Sequence, residues 1–140
     1  METALIGTQL GGRYEILREL GRGGMGVVYV AHDPLLGRDV AVKVLDPRSL
    51  SEGATLRLER EARCVARMDH PNVIAVYDIG RVDGALFFVM PLIQGPSLRA
   101  LLNQRSLTQE EVIDIAIQTA EALQYSHSVG VVHRDIKPEN

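Results

Sequence analysis

Tryptophan is absent from these 140 residues, and aromatic side chains make up only 4% of them. Surfaces that stack nucleobases are built on aromatic rings, so a single-strand binding platform is not expected. Positive charge is also short: 15 Lys and Arg against 18 Asp and Glu leave a net charge of -3. A basic stripe for nucleic acid or for an anionic membrane is therefore not suggested. A single cysteine, Cys64, cannot build a disulfide framework, which fits a reducing compartment. No apolar run approaches the roughly 18 residues of a membrane helix, and the stretch from Met1 to Gly12 lacks the basic-then-apolar order of a signal peptide. A cytoplasmic chain with no membrane segment of its own is the expectation, and 46% hydrophobic residues suffice for a real core.

Residues 1–13 are small and polar and read as a flexible leader. Strand texture follows at Tyr14–Leu20, Val27–Ala31 and Val40–Leu45, with a glycine-rich turn and a Pro/Gly turn between them. The short connections predict antiparallel pairing rather than a parallel crossover. Helical texture over residues 52–68 ends before Pro71. Two further strands are expected at Val73–Tyr77 and Ala85–Met90, with Asp83-Gly84 as the turn. A linker near 91–95 precedes a short helix capped by Ser97. A long helix then starts at a capping box of Thr108 and Glu111 and stops at Gly130. The predicted class is α+β: a five-stranded antiparallel sheet plus one helix in residues 14–93, then a largely helical segment over 94–140.

Three patterns carry chemistry. Gly21-x-Gly23-x-x-Gly26 lets backbone N–H groups approach phosphates, although turn glycines alone would give the same letters. A dinucleotide site needs a helix after the glycines, and here a strand follows, which excludes that oxidoreductase reading. Strand alternation puts Lys43 on a face with Ala41 and Leu45. A lysine with apolar neighbours on its own face calls for a partner; an edge lysine lying along the surface is the plain alternative. On the 52–68 helix, Leu58, Glu61, Val65 and Met68 share one face, so Glu61 is a carboxylate in an apolar stripe and the natural partner for Lys43. The alternative is a Glu61 at the edge of the stripe, in water. Cys64 beside that face reads as a small buried thiol. The third pattern is His133-Arg134-Asp135-x-Lys137-x-x-Asn140. It places a proton-accepting carboxylate, an ammonium and a metal-ligating amide within one loop. His133 reads as a packing residue.

Together these stretches resemble the bacterial branch of the eukaryotic-like Ser/Thr protein kinases. The resemblance rests on Gly21–Val28, Val40-Ala-Val-Lys43, Glu61 in Glu-Arg-Glu-Ala, His70-Pro-Asn and His133–Asn140, and it covers the chain from Tyr14 onward. It implies a small lobe with hinge over 14–93 and the start of a large lobe over 94–140. Leu20, Gly21, Arg22, Gly23, Gly24, Met25, Gly26 and Val28 would form the loop over ATP, with Ala41, Met90, Pro91 and Ile93 around the adenine. Lys43 would hold the phosphates and pair with Glu61. Pro91 replaces the commoner acidic hinge residue, which leaves the carbonyl there and the Ile93 N–H available. Asp135 would be the catalytic base, Lys137 its Ser/Thr-class companion, and Asn140 a Mg²⁺ ligand. Arg134 would imply control by activation-loop phosphorylation.

The resemblance implies a protein substrate bearing Ser or Thr, with ATP as phosphoryl donor. The family's Asp-Phe-Gly and activation segment do not occur in this sequence, so the 140-residue chain by itself is expected to be inactive. The competing reading is a nucleotide-binding or regulatory fragment that self-associates or docks on a kinase. An apolar helix face including Val112 and Ile113 is expected to lie exposed.

Overall fold

The computed structural model describes residues 5–23, 26–46 and 63–140. It divides into two compact units, Met1–Arg67 with Ala75–Ile93, and Met68–Ile74 with Gln94–Asn140.

The first unit is an antiparallel sheet of β1 (Gln9–Leu10), β2 (Tyr14–Gly23), β3 (Gly26–Asp33), β4 (Arg38–Leu45), β5 (Asp78–Val82) and β6 (Ala85–Pro91), in the order β1-β2-β3-β4-β6-β5. Strand alternation divides its residues between two faces. One face carries the core: Ile16, Tyr29, Val40, Val42, Phe87 and Val89 are buried together with Leu10 and Tyr14. The β2–β3 register shifts twice, between Ile16 and Arg18 and between Glu19 and Gly21, the second at the first glycine of the loop.

Three expectations are corrected here. The leader is not wholly loose. Gln9–Leu10 pairs with β2, and Leu10 is fully buried, because the leader's apolar residue fills the core beside Tyr14. The strand expected at Val73–Tyr77 begins at Asp78 instead. Asp83 and Gly84 adopt φ of 48° and 81°, a two-residue turn that requires its strands to abut it, so Val82 pairs with Ala85. Gly80 lies inside that strand. A Cβ there would run into the Phe87 ring, so the glycine admits an aromatic side chain to the core rather than marking a turn. Cys64, finally, is exposed rather than buried. Of the helix expected over 52–68, only residues 63–67 and Met68 are described, with 63–65 helical. Glu61 lies outside the described residues.

Arg13 donates two hydrogen bonds to Asp33, at 2.9 and 2.7 Å. Asp33 also accepts from the Leu35 N–H and holds the β3–β4 turn. The Arg13 guanidinium keeps the Asp33 carboxyl below its ordinary pKa. Tyr14 donates to Asp78 at 2.7 Å, and burial with that bond pushes the phenol up to about 12.

The second unit contains α1 (Leu98–Gln104) and α2 (Gln109–Ser128). Ser97 caps α1 by accepting from the Ala100 N–H. Thr108 and Glu111 form the reciprocal capping box of α2. Gly130, at φ 80°, ends it: its N–H donates to His127 O and the Val131 N–H to Ser126 O, the Schellman pattern. Arg105, at the end of α1, grips both carboxylate oxygens of Glu111 at 2.9 and 2.6 Å. That grip, with the bond from the Thr108 N–H, draws the Glu111 carboxyl down to about 2. His70 stacks on Tyr125, and the Tyr125 hydroxyl accepts from the Asp69 N–H, pinning residues 68–74 to α2. Val112, Ile113 and Ile117 are about half exposed.

Candidate active site

The residues proposed from sequence fall into two sets, one in each unit. In the sheet, register decides which side chains are neighbours, since directly paired residues share a face. Val28 pairs with Lys43, and Lys43 with Phe88. Val30 pairs with Ala41, and Ala41 with Met90. Lys43 thus stands in a row with Val28 and Phe88, next to a row of Val30, Ala41 and Met90. This is the face opposite the core cluster. Pro91 closes β6 opposite Val40, and Ile93 follows it, well exposed.

The three glycines have different reasons to be glycine. A Cβ on Gly26 would collide with the Val44 carbonyl oxygen and crowd Leu45 Cα, so this glycine lets β3 lie close against β4. A Cβ on Gly21 or Gly23 would meet nothing within 4 Å. Neither of those two has a positive φ. Among the described residues, neither backbone conformation nor packing requires glycine at these two positions, and without a Cβ their backbone is open to close approach. Leu20 and Arg22 flank them on exposed backbone, and Arg22 pairs with Glu19 at 2.8 Å. Gly24 and Met25 lie outside the described residues.

The second set gathers in the loop after Gly130. The Lys137 ammonium sits 2.8 Å from the Asp135 carboxylate. The Asn140 side-chain amide donates to Asp135 O at 2.6 Å and reaches its carboxylate at 3.3 Å. The Asn140 N–H donates to Lys137 O, closing a turn over residues 137–140. Lys137 first, and Asn140 second, hold the Asp135 carboxyl below its ordinary value, while Asp135 raises the Lys137 ammonium. Asp135 is thus an anion at neutral pH, half exposed, with a cation and an amide fixed against it. Arg134 adopts φ 66°, a left-handed turn that an arginine rarely takes. His133 departs from expectation. It is exposed, and its Nδ1 accepts from the Asp135 N–H at 3.3 Å, so it shapes the loop rather than packing in a core.

The stretch Tyr14–Asn140 matches the family model described as protein kinase domain. The chain belongs to the protein kinase family. Its relatives are bacterial Ser/Thr kinases. It is 46% identical over 138 residues to a probable serine/threonine-protein kinase of Streptomyces coelicolor, covering 94% of this chain and 20% of that protein. It is 44% identical to serine/threonine-protein kinase PknD of Mycobacterium tuberculosis, over 96% of this chain and 20% of PknD. Among solved structures, the Mycobacterium tuberculosis PknI kinase domain superposes with a TM-score of 0.84 at 33% identity, over 96% of this chain and 55% of that one. The chain therefore spans about a fifth of the length of these curated relatives.

Protein kinases use ATP and a divalent metal ion in general. No cluster of three or more His, Cys, Asp or Glu side chains fit to hold a metal occurs among the described residues. Asn140 fits as a single ligand. Its amide nitrogen is engaged by Asp135, which turns its carbonyl oxygen, a hard donor, away from that bond. No helix among the described residues is long and apolar enough to cross a membrane. Two contacts at this loop carried no sequence signal: Arg99 reaches Glu139, and its backbone N–H reaches Pro138 O. They join residues some forty positions apart, and no motif spacing links such a pair.

Proposed function

We propose that this chain is the nucleotide-binding and proton-accepting part of a protein kinase that transfers the ATP γ-phosphoryl group to Ser or Thr hydroxyls. The observation that carries the reading is the loop in which Lys137 and Asn140 are both fixed against an ionised Asp135. In transfer, the hydroxyl oxygen bonds to γ-phosphorus, the bond to the bridging oxygen breaks, ADP leaves, and the hydroxyl proton goes to Asp135. Lys137 balances charge on the transferring group. Gly21, Gly23 and Gly26, with Leu20, Arg22, Gly24, Met25 and Val28, form the loop over the phosphates. Ala41, Met90, Pro91 and Ile93 receive the adenine. Lys43 holds the phosphates and pairs with Glu61. Asn140 would supply an oxygen ligand to Mg²⁺, whose charge would offset that of the phosphates.

Calorimetry with Mg-ATP tests this directly. Wild type binds, Lys43→Met binds at least several-fold more weakly, and Asp135→Asn binds about as well as wild type, because the base touches the hydroxyl rather than the nucleotide. Equal binding by Lys43→Met and wild type would sink the assignment. Phosphotransfer by the 140-residue chain itself is expected to be undetectable, since it lacks an Asp-Phe-Gly. A second reading, a kinase-derived module that docks on a partner without catalysis, draws support from the half-exposed Val112, Ile113 and Ile117 on α2.

A further inference from the structure

The first amides of a helix have no intrahelical acceptor. In α1, Ser97 takes the Ala100 N–H, which leaves the Arg99 N–H to find a partner elsewhere. It donates to Pro138 O at 2.9 Å. The same residue's guanidinium Nε donates to Glu139 Oε1 at 2.8 Å. Two bonds from one residue thus land on two consecutive residues, and the next residue is Asn140. On its other side the loop is closed by the Asn140 N–H on Lys137 O and the Asn140 amide on Asp135. Lys137, the other cation near Glu139, is engaged by Asp135 at 2.8 Å, which leaves Arg99 as the Glu139 partner.

We propose that Arg99 is a positioning residue that clamps Pro138 and Glu139 to the start of α1 and thereby fixes where Asn140 presents its side chain. The role assigned to Asn140 rests on the reading given above; the clamp itself does not. The helix amide sets the distance of the loop from α1. The ion pair, between half-exposed side chains, prevents the turn from rolling about that single bond. Arg99 touches no substrate and acts only through the loop.

Amide hydrogen exchange followed by NMR on the 140-residue chain tests the clamp, with Arg99→Ala, Glu139→Gln, the double variant, and the charge swap Arg99→Glu with Glu139→Arg. An exposed ion pair contributes at most modestly, so each single variant is expected to speed exchange at the residue 99 and Asn140 amides about two- to fivefold. The double variant should do no more than either single one, and the swap should restore protection. The Leu101 and Val112 amides, which bond to Ser97 O and Thr108 O, should not change. Restoration by the swap is a result that a merely structural arginine does not give. Unchanged exchange at both amides, or additive single effects, overturns the clamp. Should Arg99→Ala unfold α1, Glu139→Gln reads the pair from the other side with the helix sequence intact. Mn²⁺ broadening of the Asn140 side-chain amide tests the metal role separately. Coupled exchange without broadening refutes that role and leaves the clamp standing.

Discussion

Alanine at Gly21, Gly23 and Gly26 in turn should separate a glycine that serves the fold from glycines that serve a ligand. At Gly26 a methyl group would enter the space of the Val44 carbonyl and press on Leu45 Cα. Both are backbone atoms of β4 and cannot rotate aside, so β3 and β4 must part locally. Overpacking of this kind costs about 1–3 kcal/mol. In a domain of this size each kcal/mol moves Tm by about 4 °C, so Gly26→Ala should lower Tm by roughly 4–12 °C. Gly21→Ala and Gly23→Ala meet open space at unstrained backbone. Restricting the unfolded chain there should leave Tm unchanged or raise it by a few degrees, the counterpart of about 0.4–1 kcal/mol. Nucleotide affinity should fall for these two despite their intact fold. Differential scanning calorimetry and Mg-ATP titration of the three variants give the answer. A Gly26→Ala protein as stable as wild type, or Gly21→Ala and Gly23→Ala proteins destabilised to the same degree, would show that the three glycines do not divide in this way.

Other perturbations follow from the same contacts. Arg13→Ala leaves the Asp33 carboxylate, buried in the β3–β4 turn, without its cation. Tm should fall at neutral pH, and the gap to wild type should close in acid, because a carboxyl held below 3.8 stabilises the fold above that pH and loses this as pH drops. Comparing melting curves at neutral and strongly acidic pH checks the sign. Glu111, drawn from 4.5 to about 2, stabilises the start of α2 fully above about 4.5 and loses the contribution as pH falls toward 2. Carboxyl carbon shifts should show this titration near 2 in wild type and closer to 4.5 in Arg105→Ala. An unchanged midpoint would mean that the grip of Arg105 is not what lowers it.

Much of the architecture is legible in local chemistry, since each device involves residues a few positions apart. The Thr108–Glu111 capping box, the Ser97 cap and the Gly130 stop appear where their spacing puts them. The alternation that set Lys43 and Ala41 apart from Val40, Val42 and Val44 is the alternation of β4. The misreadings concern long-range packing. The strand Asp78–Val82 holds a glycine, Gly80, because the Phe87 ring across the pair needs its space. Leu10 belongs to the core only because β1 folds back onto β2. His133 is a loop acceptor, which its neighbours in sequence do not reveal. The Arg99 link to Glu139 joins two elements that no motif connects.

The nucleotide phosphates are proposed to lie over the open backbone at Gly21 and Gly23, with the row of Val28 and Lys43 beside it. Backbone amides of the isotope-labelled chain, followed by NMR through a titration with Mg-ATP, report on that placement residue by residue. Shifts concentrated at Gly21, Gly23, Val28, Ala41 and Lys43, and lost in Lys43→Met, are the predicted result. An absence of shifts at millimolar nucleotide, or shifts gathered elsewhere on the chain, would contradict it.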